Sequence, residues 1–325
     1  MVRVGIPRTL SFFTYYPLWQ PFFEGLGVEV VISPPSNKEL MDKGVKGTVN
    51  DACVPIKLFH GHVEALKDKV DILFIPRLVS LDGKVTLCPK FLGLPDMIRY
   101  SLEGLPELID IRLDLKQGPL ELYRFLYRVG KRFTNNKTLI FKAIWRAMNN
   151  FKQYRILLLH GFKPFEAFPL LKSGSVPCRE KSKSSIKLAV LGYPYALYDE
   201  YISVGLLKKL EGYGVTVCTP EMVPAAEMKK ASREMPKNLF WHYSNEVIWS
   251  CLHFLQEDSI DGIIHITAFG CGPDAMTNKL IELETKERRQ IPFMSMTIDE
   301  HTGEAGFDTR IEAFTDLLKR KKGIL

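Results

Sequence analysis

Three of the six cysteines in this 325-residue chain share one local setting. Cys53 follows Asn50-Asp51-Ala52 and precedes Val54-Pro55-Ile56, Cys88 opens Cys88-Pro89-Lys90, and Cys271 opens Cys271-Gly272-Pro273-Asp274. Pro55 suits the first turn of a helix running to about Lys67, a helix is expected after Cys88 from Leu94-Pro95-Asp96, and Pro273-Asp274 makes a helix start directly after Cys271. A thiolate at a helix N-terminus is stabilised by the macrodipole and by unpaired amide hydrogens, which also can donate to cluster sulfurs. Such loops suit an anionic iron-sulfur centre; the alternative for each cysteine alone is a small buried hydrophobe. Cys178, in a polar stretch, Cys218, ending a Val-Thr-Val strand, and Cys251, within a helical pattern, fall outside this set.

Three thiolates leave one iron of a cubane open to water, a carboxylate, an imidazole or a substrate atom. His60, His62, Glu64, Glu300, His301 and Glu304 are the candidates for that position or for its surroundings, and Glu304, His301 and His62 are the candidate catalytic groups. Zinc shared by Cys53 and the His60-Gly61-His62 string fits poorly. On a helix, residues i and i+2 point about 200° apart, and seven residues span about 10 Å.

Ligands of open α/β sheets gather at the carboxyl ends of the strands, so the thiols call for parallel strands ending beside them. The short apolar runs 71–76, 261–267 and 292–297 fit strands covered by helices on both faces. Val2–Ser33 and Lys187–Glu221 also align at one offset: Gly5 with Gly192, Pro7 with Pro194, Leu10 with Leu197, Gly27-Val28 with Gly214-Val215. Each copy reads as a strand, a Gly-x-Pro turn, a helix of roughly fifteen residues, a Gly stop and a second strand. The expectation is two doubly wound α/β domains related by duplication, 1–111 and 187–325. A basic helical segment, 112–173, and a polar linker, 174–186, lie between them.

With 46% hydrophobic residues the chain can bury a sizeable core, which excludes disorder as its main state. The net charge of +7 is concentrated: residues 112–185 hold 16 Lys/Arg against 4 Asp/Glu. Aromatics such as Tyr123, Phe141 and Trp145 interleave with Arg124, Lys142 and Arg146. That pattern suits a helical hairpin with a solvated basic face, then a docking surface for an acidic electron donor, and nucleic acid least. No apolar run long enough to span a membrane occurs, and Met1-Val-Arg-Val-Gly5 leads into strand-like sequence without an export region. The expected compartment is the cytoplasm, with reduced thiols.

At the level of whole motifs the chain resembles the acyl-CoA dehydratase activase-related family, itself similar to subunits of 2-hydroxyacyl-CoA dehydratases and benzoyl-CoA reductases. The residues that carry the resemblance are Gly5-Ile6-Pro7-Arg8, Tyr16-Pro17-Leu18-Trp19 with Phe22-Phe23, Cys53-Val54-Pro55-Ile56-Lys57 with His60-Gly61-His62, Cys88-Pro89-Lys90, Phe269 through Asp274, and Asp299 through Gly306. The resemblance implies two flavodoxin-like domains and a 4Fe–4S cluster held by Cys53, Cys88 and Cys271. It also implies a separate ATP-dependent iron-sulfur activator protein as electron donor, since this chain has no P-loop. The function implied is that of an iron-sulfur protein of anaerobic metabolism. It would pass low-potential electrons to a small-molecule or acyl-CoA substrate or to another protein. Competing readings are a non-catalytic electron carrier or cluster-holding accessory protein, a double-cubane reductase, and a zinc-stabilised binding module. Dehydratases act as two dissimilar subunits, whereas this is one chain.

Overall fold

Apolar runs too short for helices form parallel strands in both halves of the chain. The computed structural model describes residues 1–173, 184–257 and 260–324. It divides into one unit of Met1–Ile156, Pro164–Ser175 and Phe240–His242 and another of Leu157–Lys163, Val176–Leu239 and Tyr243–Leu325.

The first unit holds strands β1 (Arg3–Ile6), β2 (Glu29–Ile32), β3 (Ile72–Phe74) and β5 (Glu107–Ile109) in the order β2-β1-β3-β5, all parallel. After Pro76 and Asp110 the chain continues into a parallel pair, β4 (Arg77–Ser80) and β6 (Arg112–Asp114). Its helices are α1 (Phe12–Gly25), α2 (Lys38–Lys46), α3 (Val54–Leu66), α4 (Pro89–Leu92), α5 (Leu94–Ser101), α6 (Glu121–Gly130), α7 (Lys137–Leu159) and α8 (Pro164–Ser173). Leu18, Phe22 and Phe23 of α1 are buried, as are Val4 of β1 and Leu73 and Phe74 of β3.

The basic segment up to Ile156 belongs to this unit, and two specific bonds tie its helix α7 to α1. Pro17 and Pro21 lie inside α1 and lack the amide hydrogens that would bond the carbonyls of Phe13 and Pro17. The Tyr154 hydroxyl donates to the Phe13 carbonyl at 2.5 Å, and the Asn150 amide donates to the Pro17 carbonyl at 2.7 Å. Asn150 and Tyr154 are one turn apart on α7, so a single helix face meets both acceptors that the prolines release.

The second unit holds β7 (Ile186–Leu191), β8 (Val215–Cys218), β9 (Gly262–Ala268) and β10 (Phe293–Ile298) in the order β10-β9-β7-β8, again parallel. Counted within each four-stranded sheet, the order is the same: second strand, first, third, fourth. Its helices are α9 (Pro194–Tyr198), α10 (Leu206–Gly212), α11 (Ala225–Ala231), α12 (His242–Gln256), α13 (Gly272–Arg288) and α14 (Glu304–Lys321). Gly27 and Gly214 both take positive φ, 76° and 74°, where each helix stops before the next strand.

The fifteen-residue helix expected in both copies is one helix, α1, in the first unit and two, α9 and α10, in the second. Asp199 accepts from the amides of Tyr201 and Ile202, and Val204 and Gly205 take positive φ, which interrupts the helix. Most of the expected linker, 174–183, lies outside the described residues, as does Cys178. Among the described residues no helix is long and apolar enough to cross a membrane.

Candidate functional site

Cys53, Cys88 and Cys271 are the N-cap residues of α3, α4 and α13, each with a proline in the first turn that follows. Cys53 and Cys88 have nearly the same backbone, φ −68° and ψ 154° against φ −64° and ψ 158°. Both belong to the first unit and are close enough to affect each other electrostatically. Burial pushes the Cys53 thiol up and nearby Cys88 adds to this, while the Ile56 amide and the Lys90 ammonium work the other way. Burial also raises Cys88, opposed by the amides of Phe91 and Lys90 and by the Lys90 charge. Lys90 is anchored by donating to the Asp51 carbonyl at 2.6 Å, so one cation serves both thiols.

The three N-cap cysteines are partly exposed, whereas Cys218 and Cys251 are buried. Burial raises Cys218 and pushes Cys251 up to about 12, the state of inert core thiols. Among the described residues, no three His, Cys, Asp or Glu side chains are grouped as a metal site. The first unit thus supplies two thiols in matching settings, where amides and a cation partly offset the burial that raises both. That donor chemistry fits an anionic iron-sulfur centre.

Around Cys271 the second unit carries a buried polar cluster that the sequence reading did not single out. Burial, with Asp274 and Cys271 near its hydroxyl, raises the Tyr193 phenol well above its usual value. That hydroxyl lies 2.7 Å from Ser244 Oγ. On β9, His265 places Nδ1 2.8 Å from Asn278 Oδ1 and Nε2 3.2 Å from Asp274 Oδ1, the His and Asp side chains being 0% and 2% exposed. The second contact is within ion-pair distance but is not aligned as a hydrogen bond. Asp274 and Asn278 are one turn apart on α13, so His265 ties the first turns of that helix, and with them its N-cap Cys271, to the sheet. No spacing rule reveals this cluster, because its members come from a strand, two helices and a strand-end loop.

The candidate histidines of α3 are interior groups. His62 bonds Ser33 Oγ through Nδ1 at 2.7 Å and Ser36 Oγ through Nε2 at 2.9 Å, and Ser33 Oγ also accepts from the Arg8 amide. Burial, aided by the Arg8 charge, lowers His62 to about 3. His60 bonds the Ile56 carbonyl and Ser101 Oγ, and burial lowers it too. Between them, Gly61 faces α2 so closely that a Cβ there would run into the Leu40 carbonyl, and Gly44 of α2 meets the Lys57 carbonyl in the same way. The His-Gly-His string therefore marks a helix crossing. Glu64 pairs with Lys67 at 3.0 Å.

At the start of α14, His301 and Glu304 are exposed. Asp299 accepts from the Thr302 hydroxyl and the His301 amide and is held below the usual carboxylate range by those bonds. Glu304 and Asp308 both pair with Lys209, at 2.9 and 2.5 Å. Glu300 is half-buried in the same loop.

The fold and these loops define an α/β protein of parallel sheets with three cysteines at helix N-caps. A family model for the CoA enzyme activase uncharacterised domain matches residues 3–223, and one for the 2-hydroxyglutaryl-CoA dehydratase D-component matches residues 171–318. The chain belongs to the acyl-CoA dehydratase activase-related family, and its residues 171–318 are similar to the 2-hydroxyglutaryl-CoA dehydratase D-component. No curated protein matches it. Among solved structures, a crystal structure of a sugar transporter from Clostridium phytofermentans aligns at 12% identity over 98% of this chain and 93% of that one. Its TM-score is 0.19, too low to carry any argument about this chain.

Proposed function

We propose that this chain binds a 4Fe–4S cluster through Cys53, Cys88 and Cys271. It would receive low-potential electrons from an ATP-dependent iron-sulfur activator protein and pass them to a small-molecule or acyl-CoA substrate or to another protein. The observation that carries this reading is the matched pair of N-cap thiols, Cys53 and Cys88, with Lys90 between their loops and amides directed at both sulfurs. When bound, the cluster supplies one-electron redox chemistry. The chain's own part is electrostatic: Lys90 and the first-turn amides offset the negative charge of the thiolates, and His265 holds the α13 N-terminus in place.

Of the three candidate catalytic groups, only His301 and Glu304 are open to solvent, and the carboxylate of Glu304 is engaged by Lys209. His301 is accordingly the proton-handling group in this reading. The engagement of both ring nitrogens of His62 and His60 favours a second reading, an electron carrier without its own turnover.

Anaerobically purified protein should contain about four irons and four sulfides per chain and give an EPR signal on dithionite reduction. Cys53→Ser, Cys88→Ser and Cys271→Ser should each lose iron, and Cys218→Ser and Cys251→Ser should retain it. Equal loss from all five variants overturns the ligand assignment, and zinc without sulfide points to a binding module. Catalytic consumption of an acyl-CoA by the reduced protein separates the enzyme from the carrier.

A further inference from the structure

Between Glu121 and Glu166 the chain contains ten Lys/Arg and no Asp or Glu. This stretch forms most of α6 and all of α7, so any charged partner these helices meet must be anionic. Three of the cations are turned onto acids of their own unit: Arg128 onto Glu121, Arg132 onto Glu107, and Arg146 onto Glu24 at 3.7 Å. Arg124, Lys131, Lys137 and Lys142 are exposed, and none of them has an ion pair among the described residues. Beside Lys142, Phe141 and Trp145 stand one turn apart on α7 and are 60% and 71% exposed. The Phe141 ring lies 5.7 Å from that of Tyr127 on α6, which joins the two helices into one surface.

We infer that this α6–α7 face docks a protein whose surface is acidic around an apolar centre. Two large rings on one exposed helix face are the aromatic anchors of an interface, and unpaired cations around them form the polar rim that sets encounter rate and orientation. Single-stranded nucleic acid needs stacking rings along a continuous cationic groove. Here the rings occupy the outer side of two helices, and three neighbouring cations are already neutralised. A helix lying in a membrane interface separates its rings from its charges. Here each exposed ring is followed directly by a cation, Phe141 by Lys142 and Trp145 by Arg146. The inference does not depend on the iron-sulfur reading, and its test uses no cluster.

The full-length chain is titrated at low salt with a short helical Glu/Leu peptide, its Lys/Leu counterpart, a short single-stranded DNA, and vesicles of phosphatidylcholine with phosphatidylserine. The Glu/Leu peptide should bind with a blue shift of tryptophan emission that Trp145→Phe abolishes. Trp145→Ala and Lys142→Glu should each weaken that binding about tenfold. Tighter binding of DNA or vesicles, equal binding of the Lys/Leu peptide, or unchanged affinity in both variants overturns the proposal.

Discussion

His62 illustrates how a residue with obvious chemical potential is assigned by its surroundings. Its ring is fully buried between Ser33 and Ser36, and burial with the Arg8 charge holds it neutral down to about pH 3. An unfolded histidine titrates near 6.5, so below that value the unfolded chain binds a proton that the folded one refuses. Stability from this site is therefore complete above about pH 6.5 and is lost as the pH falls toward 3. Between pH 7 and pH 5 the loss amounts to about 2 kcal/mol. Urea denaturation at the two pH values should show that difference shrinking by about this amount in His62→Asn. The settings of Cys53 and Cys271 were legible because a proline two residues after each thiol marks a helix start, whereas the helix expected from Leu94 after Cys88 is preceded by a short one that begins at Pro89. The burial of His62 was not legible, because Ser33, Ser36 and the α2 crossing at Gly61 reach it from other elements. His265 and Asp274 escaped for the same reason: a strand residue and a helix residue show no relation until the helix folds back on the sheet.

Among the elements, the strands that coincide with continuous apolar runs, such as β3, β9 and β10, were legible, whereas β4, β5 and β6 were not, being short and bearing charged residues such as Arg77, Glu107 and Arg112. The helix after the first strand of the second unit was misread as continuous, because the Asp199 turn and the positive φ of Val204 rest on local hydrogen bonding that apolar periodicity does not report. Helix α1 poses the opposite problem, with two prolines in its interior that propensity alone would take as breaks. It persists because the carbonyls left without helical donors are bonded by Tyr154 and Asn150. Removing either donor strands a largely enclosed carbonyl, at a cost of about 1–3 kcal/mol. Tyr154→Phe and Asn150→Ala should each lower the stability of the first unit by that amount in chemical denaturation. The double variant should depart from the sum, since the two side chains stand one turn apart on one helix face and dock the same helix. A loss confined to solvent-exposed helix propensity, a few tenths of a kcal/mol, would show that α7 docks on α1 through apolar contact alone.

For the whole molecule, the two family matches overlap at residues 171–223 and together run from 3 to 318, so the relationship covers both units. Cys53 and Cys88 belong to the first unit and Cys271 to the second. A group bound only by the folded chain stabilises it by mass action, by about 2.7 kcal/mol when present at a hundred times its dissociation constant. For a chain built of domains this size, that gain corresponds to a rise of about 5–10 °C in thermal midpoint. Anaerobic removal of iron by a chelator should therefore lower the midpoint of the iron-loaded protein by that amount. The same treatment should leave Cys88→Ser unchanged, because that variant has no cluster to lose. If chelation moves the wild type and Cys88→Ser alike, the stabilising metal does not reside on these thiols.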